Sequence, residues 1–103
     1  MKPPEDIEAT EGNSIEFYCS VDGKPRPTIT WKKDGSIIKN SLNDSVLKKF
    51  HYEFYLNNQR LKINDLNITR DSGIYECSAN NSVNTVRSSA ELVIRQASWF
   101  LFL

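Results

Sequence analysis

The heptapeptide DSGIYEC, residues 71–77, places a tyrosine two positions before a cysteine, directly after an acidic turn. A catalytic tyrosine–cysteine pair would need an orienting base close by, and nothing in the sequence supplies one. Alternatively, the segment forms a corner that holds two β-sheets together. The periodicity of the remaining chain and the position of its other cysteine decide between these interpretations.

Apolar and polar residues alternate in five short segments, which is typical of half-buried β-strands. These segments are Ile15–Cys19, Thr28–Trp31, Leu61–Ile63, Ile74–Ala79 and Ala90–Ile94. Turn-forming residues separate the segments, and no stretch shows a sustained helical stripe. The pattern predicts an all-β fold in which two antiparallel sheets form a sandwich.

The chain has two cysteines, Cys19 and Cys77, 58 positions apart (77 − 19). This spacing is too wide for a CxxC motif, and two thiols with a single histidine cannot fill a tetrahedral zinc shell. A disulfide that closes so long a loop would stabilise the fold by roughly 4 kcal/mol in the chain-entropy model. Two buried, reduced cysteines are the alternative.

Length and charge exclude several classes of function. The 103 residues suffice for one domain, and 13 basic residues balance 13 acidic ones. Such a neutral chain has no global electrostatic attraction for nucleic acid, and its apolar runs are too short to span a membrane. No signal peptide is visible, so we expect a piece of a longer protein. We predict a chain start with a truncated first strand at residues 1–5, a domain at 6–95 and a hydrophobic tail at 96–103.

The ordered motifs resemble an immunoglobulin domain of the intermediate, or I-set, type. The residues that carry this resemblance are Cys19, Trp31 twelve positions later, Leu61-Lys62-Ile63 and the heptapeptide 71–77. The segments GKPRP (23–27), WKKDG (31–35) and ANN (79–81) indicate the I-set type in particular. The similarity extends from about Ile7 to Arg95.

The resemblance implies an immunoglobulin-like sandwich with one inter-sheet disulfide, Cys19–Cys77, and with Trp31 and Leu61 in the core. It makes Tyr75 a tyrosine corner whose hydroxyl bonds to the backbone of the preceding turn. Asp71 would cap that turn and pair with a basic residue, for which the candidates are Arg60, Lys48 and Lys49. The resemblance implies no enzymatic activity and no cofactor. The single histidine, His51, forms neither a triad nor a metal site.

The chain departs from the family pattern at the turn between its last two strands, where Asn84 stands in place of the usual glycine. Asparagine tolerates positive φ better than other non-glycine residues, so we predict that the turn forms with Asn84 at a small cost.

A second departure is the long, aromatic stretch between Ser36 and Asn58. Phe50, Tyr52 and Phe54 share one face of a predicted strand and Tyr55 lies on the other. Packing against the core explains one face, and the other is a candidate protein interface. Lys48 and Lys49 lie beside it. With Lys32, Lys33, Lys39, Arg60 and Lys62 they form a candidate basic patch for heparan sulphate, with scattered solvated lysines as the alternative.

Three N-x-[ST] sequons, at Asn43, Asn67 and Asn80, favour an extracellular, cell-surface location. We therefore predict one immunoglobulin domain of a larger cell-surface receptor or adhesion protein that binds a protein ligand or neighbouring immunoglobulin domains. The segment from Leu61 to Ile94 loosely resembles receptor tyrosine kinases of the Ror and MuSK kind. The alternatives are a structural spacer of a matrix filament or of the cytoplasmic sarcomere, and a heparan sulphate-binding module.

The chain ends in QASWFLFL, residues 96–103, where the alternation of the last strand has stopped. This tail has three interpretations: the edge of a membrane span of the parent protein, a segment with no native role, and a strand that pairs with a bare sheet edge. We predict that the tail either causes self-association through Trp99–Leu103 or packs against the domain's own surface.

Overall fold

The computed structural model describes residues 1–39 and 51–97, which form eight strands and one turn of helix. The strands are β1 (Ile7–Thr10), β2 (Ile15–Tyr18), β3 (Thr28–Lys33), β4 (Ser36–Ile37), β5 (Tyr52–Tyr55), β6 (Arg60–Ile63), β7 (Gly73–Asn80) and β8 (Thr85–Arg95). The helix α1 (Ile68–Asp71) connects β6 to β7. The predicted tail Trp99–Leu103 lies outside the described residues.

The strands form two sheets, in the orders β1-β8-β7-β3-β4 and β2-β6-β5. The predicted all-β, two-sheet sandwich is thereby confirmed. Every pair of neighbouring strands is antiparallel except β1 and β8. A parallel pair needs a long connection between its strands, and the whole sandwich lies between β1 and β8 in the chain.

The alternation predicted from the sequence corresponds to the inward and outward faces of the strands. The buried core residues are Phe17, Cys19, Ile29, Trp31, Leu61, Ile63, Leu66, Tyr75, Cys77, Ala79, Ala90, Leu92 and Ile94. Cys19 and Cys77 form a disulfide across the core, which confirms the first of the two alternatives for the cysteines. The indole N–H of Trp31 donates to the carbonyl of Asn58 at 2.7 Å, so its one polar atom is satisfied.

The segment 71–77 forms the corner between α1 and β7. The buried hydroxyl of Tyr75 donates to the main-chain carbonyl of Asp71 at 2.7 Å. Gly73 has φ +150°, and a Cβ there would lie 2.6 Å from a carboxylate oxygen of Asp34. That carboxylate accepts the N–H of Ile74, so the glycine gives the turn between β3 and β4 room to bind β7.

The turn between β7 and β8 differs in its backbone conformation from the prediction. The turn forms as predicted, but Asn84 is absent from the positive-φ positions of the described residues, so the backbone conformation assumed for it is wrong. Asn81 closes the turn instead, because its side-chain oxygen accepts the N–H groups of Val83 and Asn84, each at 2.9 Å. An Asx-type turn of this kind removes the need for a left-handed residue.

Candidate interaction surface

The outer face of the three-stranded sheet carries a row of two tyrosines and an arginine. Register places Tyr18 of β2 opposite Arg60 of β6, and Arg60 opposite Tyr55 of β5. All three side chains point outward because Phe17 and Leu61 alternate with them and are buried. Tyr18 is 46% exposed and Tyr55 is 40% exposed. We call Tyr18, Arg60 and Tyr55 the tyrosine–arginine row.

Arg60 is held in place within this row. Its guanidinium carbon lies 5.5 Å from the ring centroid of Tyr55, within cation–π range. Its Nη1 also lies 3.6 Å from a carboxylate oxygen of Glu16. Both contacts are exposed and each is weak in water, but together they favour one orientation of a long side chain.

A second row of charged residues runs beside the first. Register places Glu16 opposite Lys62, and Lys62 opposite Glu53. The amide of Asn64 donates to Glu53 at 2.8 Å, and this hydrogen bond lowers the pKa of the Glu53 carboxyl. A hydrogen bond with the same carboxylate raises the pKa of the Tyr55 phenol. The formal charges of Glu16, Glu53, Lys62 and Arg60 cancel, so this outer face carries no excess of either sign.

The predicted aromatic interface residues divide between core and surface. Tyr52 and Phe54 are half-buried and pack against the core, so core packing explains the aromatic residues on the inward face of β5. Tyr55 points outward into the tyrosine–arginine row. Phe50, Lys48 and Lys49 lie outside the described residues.

Asp71 is fully buried, at 0% exposure, and its partners differ from those predicted. Arg70 binds both carboxylate oxygens, from Nε at 3.1 Å and from Nη2 at 3.0 Å. The N–H of Asn67 donates to the carboxylate at 2.9 Å, and Nε2 of His51 lies 2.6 Å from Oδ1. Arg60 was the wrong candidate because it lies on the outer face of the sheet; Lys48 and Lys49 are not described.

The pKa values of Asp71 and of its neighbour His51 are both lowered. Burial alone would raise the pKa of Asp71, but the hydrogen bonds from Arg70 and Asn67 and the charge of His51 bring it below the ordinary 3.8. Burial lowers the pKa of His51 below 6.5, and the opposing effect of the Asp71 charge is smaller. His51 therefore has a structural partner that sequence spacing did not reveal.

The two described sequon asparagines are exposed. The side-chain oxygen of Asn67 accepts the N–H of Arg70 at 2.9 Å and caps α1. The side-chain oxygen of Asn80 accepts the hydroxyl of Thr85 at 3.2 Å. In both cases the hydrogen bond uses the side-chain oxygen and does not engage the amide nitrogen that would carry a glycan. Asn43 lies outside the described residues.

The predicted basic patch is divided between the two sheets. Lys32 and Lys33 belong to β3 of the five-stranded sheet, whereas Arg60 and Lys62 belong to β6 of the other. The outward faces of the two sheets point in opposite directions. Within the described residues, these cations do not share one face.

The sequence analysis did not single out Tyr18 as a candidate interface residue. The alternation Ile15-Glu16-Phe17-Tyr18 already placed it outward, but its position beside Arg60 depends on the register between β2 and β6. Strand register is set by tertiary pairing, which a single sequence does not display.

Residues 1–39 and 51–97 contain no group of His, Cys, Asp or Glu side chains that could hold a metal ion. No helix in the same ranges is long and apolar enough to cross a membrane.

The fold, the disulfide and the tyrosine corner define an immunoglobulin-like β-sandwich domain. The family profile of the immunoglobulin I-set domain matches residues 1–94. The chain belongs to the immunoglobulin I-set family, a non-catalytic fold.

The chain is similar in sequence to two receptors and in structure to a titin domain. The chain is 34% identical over 95 residues to human receptor-type tyrosine-protein phosphatase F and 33% identical over 94 residues to mouse netrin receptor DCC, with 91% of the chain matched in each case. It spans only 5% and 6% of the length of these two relatives. Titin domain M7 is similar in structure, with a TM-score of 0.76 and 28% identity over 91% of this chain and 89% of that one. Both sequence relatives are receptors by name.

Proposed function

We propose that this domain is a protein-recognition module of a larger extracellular cell-surface receptor or adhesion protein. It binds its partner through the outer face of the three-stranded sheet. The observation that carries the proposal is the tyrosine–arginine row: two exposed tyrosines on either side of a held arginine. Tyrosine and arginine are enriched at protein interfaces and among the residues that dominate binding energy.

The row also has the rigidity that recognition requires. Its three members lie on hydrogen-bonded strands, and each alternates with residues that point into or pack against the core. Tyrosine loses little conformational entropy when it is bound, and Arg60 is already oriented by Tyr55 and Glu16. A partner that presents an acidic or carbonyl group to Arg60 and apolar groups to the phenol rings fits this surface.

An extracellular location is supported by the receptor relatives and by the exposed sequons. Asn67 precedes α1 and Asn80 ends β7, so the two lie at opposite ends of the eight-residue strand β7, about 25 Å apart. Neither asparagine belongs to β2, β5 or β6, so glycans at these positions would leave the outer face of the three-stranded sheet free. Glycosylation at Asn67, Asn80 and Asn43 is part of the proposal. Attachment to a membrane would be provided by the parent protein and not by this domain.

The test uses biotinylated domain assembled on streptavidin and applied to intact cells, with and without prior trypsin treatment. We expect trypsin-sensitive binding that falls about tenfold or more when Tyr18→Ala and Tyr55→Ala are combined. Lys32→Ala with Ile37→Ala is the matched control, because those two residues are opposite one another on the outer face of the other sheet. Equal loss in both double variants, or no loss in either, would contradict the proposal.

A structural spacer in a sarcomeric or matrix filament is the second candidate function. The similarity to titin domain M7 favours it. A spacer uses its ends rather than its faces, so both double variants would behave like the unaltered domain. In the cytosol of the sarcomere, the spacer would also lack glycans and the disulfide.

The remaining parts of the proposal concern other partners. Heparan sulphate binding receives no support from the divided basic residues, and elution from heparin below 0.15 M salt, about physiological ionic strength, would dismiss it. Four further points stay predictions. They are contact with neighbouring immunoglobulin domains, self-association through Trp99–Leu103, the boundaries 6–95 and 96–103, and the narrower resemblance to Ror and MuSK. Light scattering on the full chain and on a chain ending at Arg95 tests self-association, which predicts a larger species for the full chain only.

A further inference from the structure

Strand β2 has an edge that its own sheet leaves unpaired. The N–H of Cys19 donates to the carbonyl of Gln59, so residue 19 faces β6 with its backbone polar groups. In an antiparallel ladder this orientation alternates, so Phe17 also faces β6 while Glu16 and Tyr18 present their N–H and C=O groups to the opposite side. Four backbone hydrogen-bonding groups therefore point toward the edge of the sheet.

The chain's own amino-terminal residues begin to cover this edge and then leave it. Lys2 and Ser20 exchange two backbone hydrogen bonds, at 2.7 and 3.0 Å. Continuing the ladder would place Pro4 opposite Tyr18, but proline has no N–H to donate. By residue 6 the chain has crossed to the other sheet, where the Asp6 carboxylate accepts the N–H of Glu91.

A groove of about 460 Å³ lies where the ladder stops. Its floor includes Phe17 and Ile7, and Tyr18 lines its rim. Three of its lining residues, Glu5, Asp6 and Glu16, carry carboxylates, and Lys2 is the one lining residue with a basic side chain. Glu16 contacts Arg60 only at 3.6 Å, and within the described part of the chain the Glu5 side chain has no hydrogen bond or ion pair.

We propose that this groove is a strand-addition site that binds an extended, basic peptide segment of a partner protein. Two peptide residues would exchange backbone hydrogen bonds with Tyr18 and Glu16, as in other cases where a peptide extends a sheet. Their side chains point to the outer face, where lysine or arginine would meet the Tyr18 ring and the Glu16 carboxylate. The residue between them points inward at Phe17 and is apolar. The acidic lining selects a basic occupant and disfavours the uncharged tail of this chain, residues 96–103.

The probe is the peptide Ac-KVKVKVK-NH2, with Ac-EVEVEVE-NH2 as its charge-reversed counterpart. Amide hydrogen exchange in the free domain should be fast at Glu16 and Tyr18 and slow at Phe17 and Cys19. The basic peptide should slow exchange at Glu16 and Tyr18 at least tenfold and shift their amide resonances. The acidic peptide should do neither at the same concentration.

Two variants at one position isolate the backbone contribution. Glu16→Pro removes the outward N–H without touching the ladder to β6, whereas Glu16→Ala removes the carboxylate and keeps that N–H. The proline variant should lose peptide binding, and the alanine variant should bind only several-fold more weakly. The near-ultraviolet circular dichroism of buried Trp31 checks that each variant is folded. If the proline variant is unfolded, the hydrogen-exchange data on the unaltered domain decide whether the proposal holds.

Three results would overturn the proposal. The first is slow exchange at Glu16 and Tyr18 in the free domain, which would mean that the edge is already covered. The second is equal binding of the two peptides, and the third is full binding by a folded Glu16→Pro variant.

Discussion

At the residue scale, the molecule is organised around one buried carboxylate. Asp71 accepts hydrogen bonds from Arg70 and from the N–H of Asn67, and its own carbonyl accepts the Tyr75 hydroxyl. A buried charge is tolerated only when it is paired and hydrogen-bonded in this way. The side chain and the main chain of Asp71 therefore both stabilise the turn before β7.

Replacement of Tyr75 by phenylalanine removes the corner hydrogen bond and leaves the carbonyl of Asp71 buried without that donor. We expect Tyr75→Phe to lower the free energy of unfolding by about 1–3 kcal/mol while the fold is retained. Urea denaturation measures this. Tyr55→Phe is the matched control, because its hydroxyl is exposed, and it should change stability by less than about 0.5 kcal/mol. Unchanged stability of Tyr75→Phe would contradict the role given to the hydroxyl.

The pH dependence of stability should report the protonation of His51. Because its pKa in the folded domain lies below the 6.5 of an exposed histidine, the unfolded chain takes up a proton more readily as pH falls. The free energy of unfolding should therefore decrease as pH drops below 6.5, whereas the contribution of Asp71 is lost only below 3.8. In His51→Gln the first decrease should disappear and the second remain. An identical profile between pH 7 and 5 in both proteins would contradict this assignment.

At the element scale, the sequence predicts which residues of a strand point inward but not how strands align or how turns close. The alternation in 74–79 and 90–94 corresponds to the buried residues of β7 and β8. The tyrosine–arginine row and the His51–Asp71 contact required register and three-dimensional packing. The backbone conformation of the turn at 81–84 was mispredicted because the residue that closes it, Asn81, acts through its side chain rather than through its backbone angles.

The turn between β7 and β8 should depend on Asn81 and not on Asn84. Asn81→Ala removes two acceptor bonds and the donation to the carbonyl of Pro25 at 2.8 Å, so we expect a loss of about 1–2 kcal/mol in the free energy of unfolding. Asn84→Gly, which would stabilise a turn with positive φ at residue 84, should not raise it. Thermal unfolding of both variants measures this, and a stabilised Asn84→Gly would restore the original expectation.

At the scale of the whole molecule, the disulfide is the largest single constraint that the sequence suggested. It closes a separation of 58 residues between the two sheets. Reduction should lower the free energy of unfolding by roughly 4 kcal/mol in the chain-entropy model. Denaturation with and without reductant measures this, with Cys19→Ala/Cys77→Ala as a control that should be insensitive to reductant. A loss below 1 kcal/mol would mean that the packed core alone holds the sheets together.

The proposal that this domain belongs to an extracellular receptor or adhesion protein, rather than to a cytosolic filament, predicts a disulfide and N-linked glycans. The intact mass of the protein purified from its native source, before and after treatment with an N-glycanase, tests this most directly. We expect a mass about two hydrogens below that of the dithiol, with glycan removable from at least one of the exposed residues Asn67 and Asn80. Free thiols at Cys19 and Cys77 together with unmodified asparagines at both positions would contradict it.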